Sequence, residues 1–195
     1  FLSYYGIDGL GYNSEFTCGP NDVANVRNFH VALNKEMKSK NPIFENMWYD
    51  GTSDYGTRIF DDGLGNHNQK NFGNPGEEGA SLFFNYNWNR DDILPKSVSK
   101  ANSMKRDPRY LYAGMNMQGG EPHEPRLWSL LQKHPISIGL WGAHSRNMFW
   151  ESRNEKGSDP EAMQRTYMLR TERWFTGGTR NPANCPEIGG QKRQV

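Results

Sequence analysis

The chain has 195 residues, with 23 Lys and Arg against 22 Asp and Glu, so its formal net charge is +1. A balance this close to neutral supplies no long-range field for nucleic acid or an anionic membrane, and no Lys/Arg run is long enough to serve as a basic arm. Hydrophobic residues make up 34% and aromatic residues 13%, and no apolar run approaches the ~20 residues that cross a bilayer.

In chain order, strand-like and helix-like segments alternate. The first strand is expected over residues 7–16. A helix follows over residues 20–40, because Val23, Val26, Phe29, Leu33 and Met37 recur at steps of three and four. Pro20 suits an early helical position, and Asn41-Pro42 ends the helix. A second strand fits residues 43–49. The stretch 50–79 is polar and rich in Gly, Asn and Asp, with a short helix near 66–72. A third strand fits 80–88, dense in Phe and Tyr. Then come a helix at 91–104, a strand at 110–117, a helix at 124–133, a strand at 135–141 and a helix at 160–175. The Gly/Pro-rich tail from 176 has no periodicity and reads as linker or loop.

Five strand-helix units imply an α/β fold with a parallel sheet. A closed (β/α)8 barrel has eight such units and needs about 250 residues, so this chain corresponds to a partial TIM (β/α)8 barrel. The alternative is an open doubly wound sheet. Gly9-Leu10-Gly11 lacks the third glycine of a dinucleotide-binding turn, which disfavours that alternative. Residues 1–180 are expected to be the C-terminal five-eighths of a catalytic barrel, and 181–195 a linker or the start of a following segment. The chain opens on Phe1 rather than Met and reads as a piece of a longer protein, which leaves export undecided. Cys18 and Cys185 lie far apart; a disulfide and two free thiols both remain open.

The first strand carries the chemistry of interest. In an extended strand, residues two apart share a face, so Gly9, Gly11, Asn13 and Glu15 face one way. The glycines would leave space in a barrel interior, and the carboxamide and the acid would stand at the C-terminal rim, where such barrels hold their sites. One sugar ring and its N-acetyl arm could touch both. A substrate-assisted glycosidase needs that pair: a carboxylic acid to protonate the leaving oxygen, and a group to orient the acetamide. By spacing alone, Asn-X-Glu is equally at home as an ordinary surface pair.

The segment Tyr5-Gly6-Ile7-Asp8-Gly9-Leu10-Gly11-Tyr12-Asn13-Ser14-Glu15 resembles the catalytic strand of glycoside hydrolase family 85, endo-β-N-acetylglucosaminidases acting on N-glycans. Met47-Trp48-Tyr49-Asp50 resembles that family's motif on the next strand, and Leu82-Phe83-Phe84-Asn85-Tyr86-Asn87-Trp88 its motif on the strand after. The resemblance is good to Trp88, looser beyond it and poor after about Pro182. It implies that these are barrel strands four to six and that the remaining barrel strands come from the rest of a parent chain.

It further implies that Glu15 is the general acid/base and that Asn13 orients the acetamide. Tyr49 and Trp88 would line the glycan cleft, and Phe60 would stand where the family often has a Trp at the acceptor entrance. The substrate would be an N-linked glycan or glycoprotein, cleaved between the two core GlcNAc residues with retention through an oxazoline, without a cofactor or metal. The chitinase-like family 18 differs here, with Asp where this chain has Gly11 and Asn13; an amide cannot titrate and acts by hydrogen bonding alone.

Asn85, Asn87 and Asn116, at strand positions, are candidates for sugar hydroxyls or for satisfied rim amides. Trp141 and Trp150 flank the last strand's exit, one to stack on sugar and the other to fill core. Asp8 reads as a turn cap. His30 and His67 have no partner at metal-ligand spacing. Asp61-Asp62-Gly63 starts like a calcium loop but lacks the later ligands. Two rivals stand beside the enzyme reading: a non-catalytic carbohydrate-binding relative, and an isolated chain left inert by its open strand edges.

Overall fold

The computed structural model describes residues 1–74, 78–90, 92–119, 128–149, 159–175, 187–188 and 191–192. The start of the helix expected at 124, and the candidates Trp150 and Cys185, lie outside these. The chain divides into two compact units, Phe1–Ala113 and Gly114–Val195.

The first unit holds α1 (Leu2–Tyr5), β1 (Gly9–Tyr12), α2 (Pro20–Lys38), β2 (Glu45–Tyr49), α3 (Gln69–Phe72), β3 (Ser81–Phe83), α4 (Ile93–Ser103) and the start of β4 (Leu111–Asn116). Neighbours pair in parallel in the order β1-β2-β3-β4. Parallel pairs need a crossover, and α2 and α4 are the long ones. Asp22 Oδ2 accepts the Gly19 N–H at 3.0 Å, and Pro20 starts the helix where a missing N–H does no harm.

The buried face of α2 differs from the expected stripe. Val23 is buried, but the other buried residues are His30 and Asn34, and Phe29 is 54% exposed. Polar residues face inward because each has a partner there. The His30 ring stacks on Tyr12 at 5.0 Å and meets Trp48 edge-on at 5.3 Å. The Asn34 amide donates to the Gly79 carbonyl at 2.7 Å. Burial lowers the His30 pKa to about 4, so it is neutral at pH 7.

The register sorts the sheet into two faces. Tyr12 pairs with Trp48, and this face meets α2 through His30. The opposite face carries Gly9, Gly11, Glu45, Met47 and Tyr49, with Ser81 beside Met47 and Phe83 beside Tyr49. Tyr112, in register with Phe83, donates its hydroxyl to Glu45 Oε2 at 2.5 Å. The two glycines do different jobs. A Cβ on Gly11 would meet nothing within 4 Å, as expected for open space, whereas one on Gly9 would lie 2.2 Å from the Glu45 carbonyl oxygen. Gly9 is there for close backbone approach rather than to leave an empty volume.

Strands are shorter than the alternation suggests. The first ends at Tyr12, because Ser14 N–H turns back to Tyr12 O and Glu15 N–H to Asn13 O. The third ends at Phe83, and residues after Asn85 turn.

The second unit holds the end of β4, α5 (Trp128–Leu131), β5 (Ser137–Trp141), α6 (Pro160–Phe175) and the strands β6 (Glu187–Ile188) and β7 (Gln191–Lys192). Here β5 neighbours β4, and Met117 N–H donates to the Trp141 carbonyl at 2.7 Å. Phe149 stacks on Tyr167 of α6 at 4.9 Å. In the tail, expected to be linker or loop, residues 187–188 and 191–192 form the antiparallel pair β6-β7. No helix among the described residues is long and apolar enough to cross a membrane.

Candidate functional site at the strand ends

In the first unit, Asn13 and Glu15 follow the C-terminal end of β1, and both are exposed. Between them Ser14 is buried. Its hydroxyl donates to the Tyr49 carbonyl at 2.8 Å, and its own carbonyl accepts from Thr52 N–H at 2.6 Å and Thr52 Oγ1 at 3.0 Å. The segment is thus clipped to the residues after β2 by its middle member, and the two flanking side chains project outward. The alternation expected of a strand survives in exposure, although the backbone has left the strand.

Gly51 lies under this clip. A Cβ there would stand 2.4 Å from Ser14 O and 3.1 Å from Glu15 Cγ. The absence of a side chain at position 51 lets the Glu15 stem lie against the β2 exit.

Beside them is an aromatic group centred on Tyr49. Its ring is 6.1 Å from Phe60, 5.9 Å from Phe83 and 6.5 Å from Tyr86. Burial, then the nearby Tyr86 and Glu15, pushes the Tyr49 pKa up. Burial and the Glu15 carboxylate push Tyr86 up to about 12. Both phenols therefore keep their protons at neutral pH.

A chain of hydrogen bonds continues from Tyr49. Its hydroxyl donates to Asn85 Oδ1 at 2.7 Å, and Asn85 Nδ2 donates to Asp62 Oδ1 at 2.7 Å. Asn87 Nδ2 reaches the same Oδ1 at 3.4 Å, and Arg90 Nη2 donates to Asp62 Oδ2 at 2.7 Å. Asp62 is buried and holds a left-handed backbone, φ 56°, a conformation that Asp tolerates better than most residues.

Of the residues singled out from sequence, Tyr49, Asn85, Asn87 and Phe60 are thereby brought together. Trp88 is not with them at the surface. It is 1% exposed and belongs to the core, because the chain turns after Asn85 instead of continuing a strand; its place in the cleft lining is corrected accordingly. Asn116 and Trp141 belong to the second unit. Asn116 Oδ1 accepts the Gln118 N–H at 2.9 Å, and Trp141, 38% exposed, ends β5. Gly51, Asp62, Tyr86 and Arg90 were not anticipated. Tyr86 had appeared only within the third motif and Asp62 only in a calcium-like tripeptide, and the partners of Asp62 come from 23 to 28 residues away. Among the described residues no group of three or more His, Cys, Asp or Glu is placed to hold a metal.

Asp50, next to Tyr49, is fully buried. Burial raises its pKa to about 7, against the opposing hydrogen bonds from the Asn68 amide (2.8 Å) and the Asp61 N–H (3.3 Å). The folded state therefore holds a proton between about pH 4 and 7 that the unfolded chain releases, so this group's contribution to stability falls as pH rises through that window. His30 acts oppositely. Its folded pKa is depressed to about 4 from 6.5, so its contribution rises with pH between those values. Each shift corresponds to roughly 3–4 kcal/mol, and the two nearly cancel below about pH 6.5. Asp50→Asn removes one of them. Urea denaturation should then show the variant gaining stability relative to the parent protein as pH rises from 4.5 to 6.5; a difference that does not change with pH would count against a proton held on Asp50.

Parallel strands joined by helices make this chain part of a (β/α)8 barrel, and the polar and aromatic group lies at the strand ends, the rim at which such barrels hold their sites. A model of glycosyl hydrolase family 85 matches residues 2–194, and the chain belongs to that family. Its fold is similar to the glycoside hydrolase domain of Endo-D from Streptococcus pneumoniae R6, with a TM-score of 0.68 and 22% identity. The match covers 97% of this chain and 30% of that one, so this chain spans less than a third of its length. A comparison with curated proteins returned no match.

Proposed function

We propose that this chain carries the catalytic pair of an endo-β-N-acetylglucosaminidase that cleaves the β1,4 bond between the two core GlcNAc residues of N-linked glycans. The observation that carries the reading is the Asn13-Ser14-Glu15 clip. A buried Ser14 is tied to Tyr49 and Thr52, and Asn13 and Glu15 stand exposed on either side of it. Family 85 membership supports the same reading.

In the proposed reaction the sugar's own 2-acetamido oxygen attacks the anomeric carbon. Glu15 donates a proton to the departing glycosidic oxygen, and Asn13 accepts the acetamide N–H and holds the group in its attacking orientation. The bond to the leaving GlcNAc breaks and a cyclic oxazolinium forms, its N–H still held by Asn13. Glu15, now a carboxylate, takes a proton from water, whose oxygen opens the oxazolinium with net retention. Tyr49, Phe60, Asn85 and Asn87 form the adjoining surface for the sugar. Asn116 and Trp141 are further sugar-contact candidates from the second unit.

Asparagine at position 13 favours this reading over a chitinase-like one, because an amide cannot cycle a proton with Glu15. The test is a glycopeptide with a chitobiose core incubated with the full-length protein. Mass spectrometry should find one GlcNAc retained on the peptide and a free glycan ending in the other. An intact substrate, or release of the whole glycan, would count against the proposal.

A further inference from the structure

We propose that Asp62 is a positioning residue that sets the polarity of Tyr49: it fixes the Asn85 amide so that the Tyr49 hydroxyl gives its proton to Asn85 and offers the sugar an acceptor oxygen. The proposal rests on the site reading above and adds to it the kind of ligand group that Tyr49 meets, a hydrogen-bond donor such as a sugar hydroxyl or the acetamide N–H.

The argument follows from which atoms can donate. An ionised Asp62 only accepts, and it holds its charge in a buried place because Arg90 Nη2 sits 2.7 Å from one oxygen. Its other oxygen can be met only by a donor, so Asn85 must turn Nδ2 toward it, as seen at 2.7 Å. That leaves Asn85 Oδ1 on the Tyr49 side, where it can only accept. The phenol at 2.7 Å must then be the donor. One charge therefore determines the direction of two successive hydrogen bonds, and Asn87 Nδ2 at 3.4 Å adds a second donor to the same Asp62 oxygen. The phenol proton being committed, the remaining capacity of Tyr49 is its lone pair. Ser14, next to Glu15, donates to the Tyr49 carbonyl at 2.8 Å, so Tyr49 belongs to the same strand-end site as the acid.

Asp62→Asn tests this. Asparagine can donate as well as accept, so Asn85 is free to flip and the Tyr49 proton is no longer committed. With carbon-13 at tyrosine Cζ, the Tyr49 resonance, assigned by its loss in Tyr49→Phe, should shift in Asp62→Asn. Asn85→Ala keeps the Asp62–Arg90 pair and should shift the same resonance, which covers the case of an Asp62 variant that fails to fold. In turnover of a chitobiose glycopeptide, Asp62→Asn should lower kcat/KM about 10-fold when Tyr49 is present and less than about 2-fold in the Tyr49→Phe background. An unmoved Tyr49 resonance in the folded variants, or an equal loss in both backgrounds, would overturn the proposal by reducing Asp62 to a loop-stabilising residue. The resonance arm needs no turnover, so a protein inactive on this substrate would sink the activity reading and still leave the Asp62 assignment decided.

Discussion

Replacing Glu15 by Gln in the full-length protein is expected to lower kcat on a chitobiose glycopeptide by about three orders of magnitude, the middle of the range for a general acid/base. Glutamine has nearly the same shape and keeps hydrogen-bonding capacity, but it cannot deliver a proton to a leaving alkoxide. Binding of the intact glycan should stay within about 3-fold, because the Tyr49 surface and the Ser14 clip are untouched. Initial rates and calorimetric titration with uncleaved glycopeptide measure the two quantities. A variant that turns over at more than about a tenth of the parent rate would remove Glu15 from its role.

Gly51→Ala should come next in size, although position 51 supplies no functional group. The added methyl would stand 2.4 Å from the Ser14 carbonyl oxygen and 3.1 Å from Glu15 Cγ. A contact with a backbone oxygen cannot be relieved by rotating a side chain, so the clip must shift by about 1 Å. A displacement of that size is worth about 100-fold in a reaction that depends on orientation. The same shift strains the bonds from Thr52 to Ser14 and should reduce stability by about 1–3 kcal/mol. Thermal melting separates the two effects. At a temperature where the variant is fully folded, kcat should still be depressed; full activity there would show that Glu15 does not depend on Gly51.

These expectations divide along what local sequence encodes. The βα order was legible because hydrophobic period and breaker residues act over a few positions, and β1, α2, β2, β3, α4, β4 and β5 all fall inside the expected spans. Strand ends were less so. Tyr12 ends β1 because the backbone of residues 13–15 bonds to itself and then to Thr52, a tertiary choice that alternation does not record. The inner face of α2 was misjudged because the His30 ring packs against Tyr12 and Trp48 and the Asn34 amide N–H reaches the Gly79 carbonyl, tertiary contacts that hydrophobic spacing does not record.

The candidate site shows the same split. Asn13, Glu15, Tyr49, Asn85, Asn87 and Phe60 could be picked out because they sit at or near strand ends or within recognisable motifs. Trp88 was expected on the cleft from its motif's resemblance, but it is buried in a segment that turns after β3 stops at Phe83. Gly51 and Asp62 were invisible as site residues, since one acts by having no side chain and the other through contacts made by a long polar loop folding back on β3.

The most direct test of the central claim is the configuration of the sugar first released. Proton NMR of a chitobiose glycopeptide during the opening minutes of hydrolysis, before mutarotation, should show the reducing-end GlcNAc of the freed glycan as the β anomer. An oxazoline on one face of the ring leaves water only the other, so two inversions return the starting configuration. An α anomer appearing first, or no cleavage between the two GlcNAc residues, would contradict substrate-assisted chemistry at Asn13 and Glu15.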